Sequence, residues 1–234
     1  MKGSIIMSSF AQWLNTAFAG FDHAILGFYH KLATVADPVL SPIAEFFAVA
    51  GDGAMAFFIL SAIFILFAKT RKAGLSMAFS IGFAALITNV TVKPLVARPR
   101  PYASGVADFV DWWEYVGGHV HSEYSFPSGH TTSAMAAMLA LCLCYCVFCA
   151  KGEKKRHWVW IPTMLCVLLM GASRNYIMVH YPSDILGGII AGTIGAFAGF
   201  FFIHFFYKML WMGDNKLSKF LLEADFKNLF CKTR

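Results

Sequence analysis

Three short segments hold the residues whose types and spacing suit chemistry: KPLVARPRP at 93–101, PSGH at 127–130 and SRNYIMVHYPSD at 173–184. Lys93, Arg100 and Arg174 are three cations able to surround the non-bridging oxygens of a phosphoryl group, the arginines through paired hydrogen bonds. Ser128 and Gly129 precede a long apolar run and so fall at a helix start, where unpaired N–H groups and the positive end of the helix dipole favour an anion. His180 stands four residues before Asp184, a spacing at which the carboxylate can keep one ring nitrogen protonated and leave the other to attack phosphorus. His130 is then the natural acid for the departing oxygen. No Asp or Glu cluster supplies a Mg²⁺ site, so the cations must stabilise the transferring group and turnover is expected without metal or cofactor.

The elements that must position these groups are membrane helices. The chain has 234 residues, 58% hydrophobic and only 14% charged, with a mean hydropathy of +0.61. Residues 53–68, 73–92, 131–150, 158–173 and 185–207 contain no Asp, Glu, Lys or Arg. A spanning helix takes about 20 mostly apolar residues, so these runs predict an all-α, polytopic membrane bundle of about five transmembrane helices. One domain is expected over 1–234, with its working core at about 50–210. Residues 1–49 are apolar but broken by Gln12, Asn15, Asp22, His23 and Lys31, which suits an interfacial amphipathic segment, with a sixth span as the alternative. No cleavable signal peptide is evident. The tail at 211–234 alternates apolar residues with lysines and reads as an amphipathic helix on an anionic leaflet.

Charge orients the bundle. Lys69, Arg71 and Lys72, then Lys151, Lys154, Lys155 and Arg156, then the tail lysines fall on one side if five helices cross. Basic short loops face the cytoplasm, which puts the C-terminus there and the three chemical segments outside. The net charge of +6 is therefore a topology signal and calls for no nucleic-acid partner. The remaining conspicuous residues have plainer readings. Cys142, Cys144, Cys146 and Cys149 sit in an apolar run and read as small buried side chains. The stretch 99–127 reads as a long outer loop whose Trp112 and Trp113 anchor it at headgroup depth, with a substrate lid as the alternative, and His119 and His121 near Glu123 read as ordinary loop histidines, with a metal or lid contact as the alternative. Gly188, Gly192, Gly195 and Gly199 share a helix face that packs within the bundle, with a dimer seam as the alternative; the sequence specifies no oligomeric state.

The three segments resemble the signature motifs of the type 2 phosphatidic acid phosphatase superfamily. Lys-x6-Arg-Pro is matched by Lys93, Arg100 and Pro101, Pro-Ser-Gly-His by 127–130, and Ser-Arg-x5-His-x3-Asp by Ser173, Arg174, His180 and Asp184. The resemblance implies a phosphohistidine at His180, leaving-group protonation by His130, and phosphate contacts from Lys93, Arg100, Ser128, Gly129, His130 and Arg174. It also implies a helical bundle shared with soluble acid phosphatases and vanadium haloperoxidases. Among membrane members the chain is similar to bacterial undecaprenyl pyrophosphate phosphatases. The expected partner is thus a lipid phosphate or diphosphate, with undecaprenyl diphosphate ahead of phosphatidic acid and phosphatidylglycerophosphate, and with a lipid phosphotransferase or a non-catalytic lipid-phosphate binding protein as further alternatives.

Overall fold

The computed structural model describes residues 7–121, 124–149 and 154–213, together with 218 and 222. Every regular element among them is helical: α1 (Ser9–Ala17), α2 (Ala19–Gly51), α3 (Met55–Leu66), α4 (Arg71–Ala85), α5 (Lys93–Val96), α6 (Ala107–Tyr115), α7 (Gly129–Cys142), α8 (Trp160–Tyr176) and α9 (Pro182–Met212). Each of the five apolar runs is helical over most of its described residues. Four stretches are long and apolar enough to cross a bilayer, Ala19–Leu66, Arg71–Ala103, Gly129–Val147 and Pro182–Met212. The remaining run, 158–173, forms α8, whose 17 residues lie at the short edge of spanning length.

Small residues set the packing. A Cβ built on Gly199 would stand 2.3 Å from the backbone N of Ser80, and one on Gly195 would stand 2.5 Å from Ala84 Cβ, so α9 lies directly on α4. Further along, Gly188 and Gly192 would place a Cβ 2.8 Å from the Ser128 carbonyl and 2.6 Å from that of Thr132, so the same face also receives α7. The glycine face is thus used inside the bundle. Lipid tails are as apolar as leucine, so close backbone approach and van der Waals contact must hold such helices together.

The first apolar run does not form a simple span. Its helix begins upstream in α2 and is interrupted at Asp52–Ala54, where Gly53 (φ 55°) and Ala54 (φ 58°) both adopt left-handed backbone. Broken backbone at membrane depth is tolerated where it lines a cavity, and Asp52 and Gly53 do so. Upstream, α2 bends at Ala36 (φ −131°, ψ 17°), ahead of Pro38 and Pro42, which remove helix donors and crowd the preceding turn. Both arms of α2 reach the same end of the bundle. Asp22 on the first arm accepts from Ser183 N at the start of α9 (2.9 Å), and Ala48 on the second accepts from His130 at the start of α7 (3.0 Å).

The described part of 99–127 holds more regular structure than its sequence suggests. It holds a nine-residue helix, α6, and its tryptophans pack on protein: Trp112 lies against His23 and His30, and Trp113 stacks on Tyr102 with ring centroids 4.6 Å apart. Cys142, Cys144 and Cys146 are buried among apolar neighbours. The expected amphipathic tail lies outside the described residues apart from Trp211, Met212, Gly213, Ser218 and Leu222.

Candidate active site

The starts of α7 and α9 and the end of α8 meet the turn after α5 around a cavity of about 420 Å³. Lys93, Arg100, Gly129, His130, Arg174 and His180 line it. Each arrives for a local reason. Lys93 leaves the π-helical turn Leu86–Val92, an irregularity often found at functional sites, and Ala97 (φ 51°) then ends the helix so that Pro99 and Pro101 carry Arg100 across the cavity in extended backbone. His180 sits in the tight link between α8 and α9, and Asp184 starts α9 by accepting the Tyr181 N–H (2.9 Å), a capping-box bond.

Hydrogen-bond chemistry fixes the state of each imidazole. Arg100 Nη1 lies 3.3 Å from His180 Nε2, and a guanidinium can only donate, so Nε2 carries the lone pair. The His180 proton is then on Nδ1, which faces Asp184 Oδ2 at 3.4 Å. Burial, then Arg100, Arg174 and Lys93, hold the His180 pKa well below the usual histidine value, so the ring is neutral at neutral pH. His130 is fixed the other way. Its Nε2 lies 3.0 Å from the Ala48 carbonyl, which can only accept, so Nδ1 is the nitrogen left for a substrate.

Two expected site residues stand behind the wall. Asp184 is fully buried, receiving Arg98 Nη1 at 2.7 Å on Oδ1 and the hydroxyl of Ser125 on Oδ2. Ser128 is also fully buried; its N–H goes to the Asp184 carbonyl (3.1 Å) and its hydroxyl caps α7 by accepting from Thr131. Ser128 therefore shapes the helix start, and the first N–H groups of α7 available to an anion are those of Gly129 and His130.

Four residues escape a reading from spacing alone. Arg98 ties together Asn15, Asp22, Ser183 and Asp184 at 2.7–2.9 Å and lies 3.7 Å from the Tyr181 ring centroid. Asp22, from the N-terminal segment, is buried in that network. Ser125 sits beside the His180–Asp184 pair. His121, expected in an ordinary loop setting, lines the cavity with Nε2 3.0 Å from Arg174 Nη2. Arg98 announces itself only as a second arginine in the proline-rich turn; the other three belong to no pattern.

Comparison with known proteins places the chain in a family. The profile of the PAP2 superfamily matches residues 73–212. An undecaprenyl-diphosphatase from Sulfolobus acidocaldarius is 28% identical over 134 residues, 57% of this chain and 57% of that protein. A lipid A 4'-phosphatase from Porphyromonas gingivalis is 30% identical over 150 residues, 62% of this chain and 56% of the relative. The chain thus spans a little over half the length of these relatives. The crystal structure of a transmembrane PAP2-type phosphatidylglycerolphosphate phosphatase from Bacillus subtilis shares the fold, with a TM-score of 0.59 at 24% identity over 85% of this chain and 90% of that one. All three chemical segments lie within a profile match that covers more than half of the sequence, and the protein belongs to the PAP2 superfamily.

Proposed function

We propose that the protein is an integral-membrane lipid phosphatase working through a phosphohistidine at His180, with no metal. The observation that carries this reading is Arg174. It is 1% exposed, yet among the described residues no carboxylate lies within ion-pair distance of it. A buried guanidinium without a counter-charge is costly unless a ligand supplies one. Beside it stands a neutral imidazole whose lone pair faces the same cavity.

The chemistry balances with the groups present. The His180 Nε2 lone pair attacks phosphorus, a P–N bond forms and the P–O bond to the lipid breaks. His130, whose Nε2 proton stays on the Ala48 carbonyl, takes a second proton on Nδ1 from the entering phosphate group and gives it to the departing oxygen. Water then attacks phosphorus, the P–N bond breaks, and His130 takes the proton back, releasing phosphate and neutral His180. Lys93, Arg100 and Arg174, with the first N–H groups of α7, stabilise the equatorial oxygens throughout. Asp184 keeps the His180 proton on Nδ1.

The substrate we favour is a polyprenyl diphosphate, undecaprenyl diphosphate above all, presented from the outer leaflet. The cavity supports a lipid, since it continues past the cations to Phe58, Ile81 and Ala85. Relatives named for undecaprenyl diphosphate support the headgroup, and the basic residues at the opposite end of the bundle support an outward site. The lipid A phosphatases among the relatives favour a second reading, a phosphate ester on a larger glycolipid.

The test is phosphate release by the purified protein in detergent with EDTA present, from undecaprenyl diphosphate, phosphatidic acid and lipid A in parallel, beside His180→Ala. Turnover of the diphosphate that survives EDTA and disappears in the variant is the expected result. Preference for another lipid moves the substrate and keeps the mechanism. Chelator-sensitive activity, or activity in His180→Ala, overturns the mechanism, and release from none of the lipids returns the phosphotransferase and binding-protein readings.

A further inference from the structure

We infer that His121 is a positioning residue of the phosphate site: as a neutral acceptor it holds the Arg174 guanidinium at the cavity without cancelling its charge. The inference takes the identity of the ligand, a phosphate, from the function proposed above, and takes everything else from geometry.

Arg174 has few restraints for so buried a group: among the described residues its Nε is enclosed without a partner, and its hydrogen-bond acceptor is His121 Nε2 at 3.0 Å. The contrast with Arg98 is direct. That arginine, equally buried, is held by Asn15, Asp22, Ser183 and Asp184. Without His121, the Arg174 head would be steered by its own stem and by whatever anion enters.

His121 is itself built into place. Its backbone N–H donates to the Tyr102 hydroxyl, and that hydroxyl donates to the His121 carbonyl, both at 3.0 Å. Tyr102 stacks on Trp113, whose Nε1 donates to the His119 carbonyl at 2.8 Å. Tyr102 also lies two residues after Arg100, so one turn carries a phosphate cation and the seat of the residue that holds another.

The choice of histidine has a physical reason. The groups facing the ring are Arg174 from α8, Arg100 from the turn after α5, Asp52 from the break after α2, and His119 from its own loop. Burial, then Arg174 and Arg100, push the imidazole down to about 4 against the opposing pull of Asp52, so at neutral pH it accepts and does not repel. A carboxylate in its place would hold Arg174 as well, but would neutralise it and compete with the phosphate. A neutral acceptor orients the cation and leaves its charge for the ligand.

That distinction sets the experiment. Inorganic phosphate is titrated at pH 7 against the thermal stability of the full chain in detergent, a readout of binding that needs no turnover. KM and kcat for the preferred lipid are measured beside it. His121→Ala is expected to weaken phosphate binding about tenfold, the size of one charge-assisted hydrogen bond, and to raise KM with it. His121→Gln, whose Oε1 can accept from the guanidinium, is expected to recover most of the loss. His121→Glu is expected to bind phosphate at least as poorly as the alanine variant although it still engages Arg174. A purely structural loop residue would not sort the variants this way. Phosphate affinity and KM within twofold of the parent in His121→Ala, or stronger phosphate binding in His121→Glu, overturns the inference, as does a parent protein that binds no phosphate. Turnover persisting in His180→Ala would overturn the catalytic reading instead, and the phosphate affinities would still judge His121.

Discussion

Arg98 and Arg174 are each 1% exposed, and they divide the work of the site by how their charge is met. Arg98 sits between Asp22 and Asp184, so it is neutralised by protein and serves the backbone framework and the carboxylate behind His180. Among the described residues Arg174 has no such carboxylate, and in the function proposed above an anion supplies its counter-charge. The two should therefore fail differently. Arg98→Ala leaves two buried carboxylates without their cation and is expected to cost about 3–5 kcal/mol of stability, seen as a lower unfolding temperature in detergent. Arg174→Ala is expected to leave that temperature unchanged or raised, and to cost about 10²-fold or more in turnover. Equal unfolding losses in both variants would contradict the division. In the sequence the two are alike, each an arginine beside a proline or serine at a helix end. Which one meets a carboxylate depends on Asp22, 76 residues away in the chain from Arg98.

At the scale of elements, α9 is the part that couples packing to chemistry. Its glycine face lets α4 and α7 approach, and Gly188 lies against Ser128 and Thr131 at the start of α7. Since α9 also carries Asp184, the same contact sets the distance between the helix start proposed to face the anion and the pair proposed to supply the nucleophile. Gly188→Leu should force the two helices apart. Overpacking of this kind costs about 1–3 kcal/mol, and the shift of an ångström at the site is expected to lower kcat about 10²-fold in protein that still folds. The comparison is Ile190→Leu, whose side chain is 63% exposed and should be neutral in both measurements. The glycine spacing was legible as a packing face, but its partners were not, because the face of a helix says how closely something may approach and not what does. The break at Asp52–Ala54 was legible only as the edge of the first apolar run, which starts at residue 53; its left-handed backbone makes sense only with a cavity beside it.

For the whole molecule, the distribution of charge gives the bundle two unlike ends. The cavity end combines its cations with acidic and aromatic residues of α6, whereas Lys72, Lys154, Lys155 and Arg156 lie at the other end, where Lys72 Nζ meets His204 Nδ1 at 3.0 Å. The proposed orientation, cavity outward, can be read from cysteine accessibility in intact cells. Val106→Cys, exposed near the cavity end, should react with a membrane-impermeant maleimide added outside, and Lys154→Cys should react only after the membrane is opened. The reverse pattern would turn the protein over and place its substrate on the inner leaflet.

What the sequence determined by itself was the helical membrane bundle and the residues that line the cavity, because both rest on short-range facts: runs of apolar residues long enough to span, and charged or polar groups collected at the ends of those runs. Lys93, Arg100, Gly129, His130, Arg174 and His180 all reach one wall as their places at the helix ends require. The tertiary structure decided how those residues are held. Ser128 became a cap, Asp184 and Arg98 a buried support, Asp22 a link from the N-terminal helix, and His121 a wall of the site. These roles depend on hydrogen bonds between groups dozens of residues apart. A local pattern cannot specify such bonds, because the close helix packing that permits them is set by the whole fold.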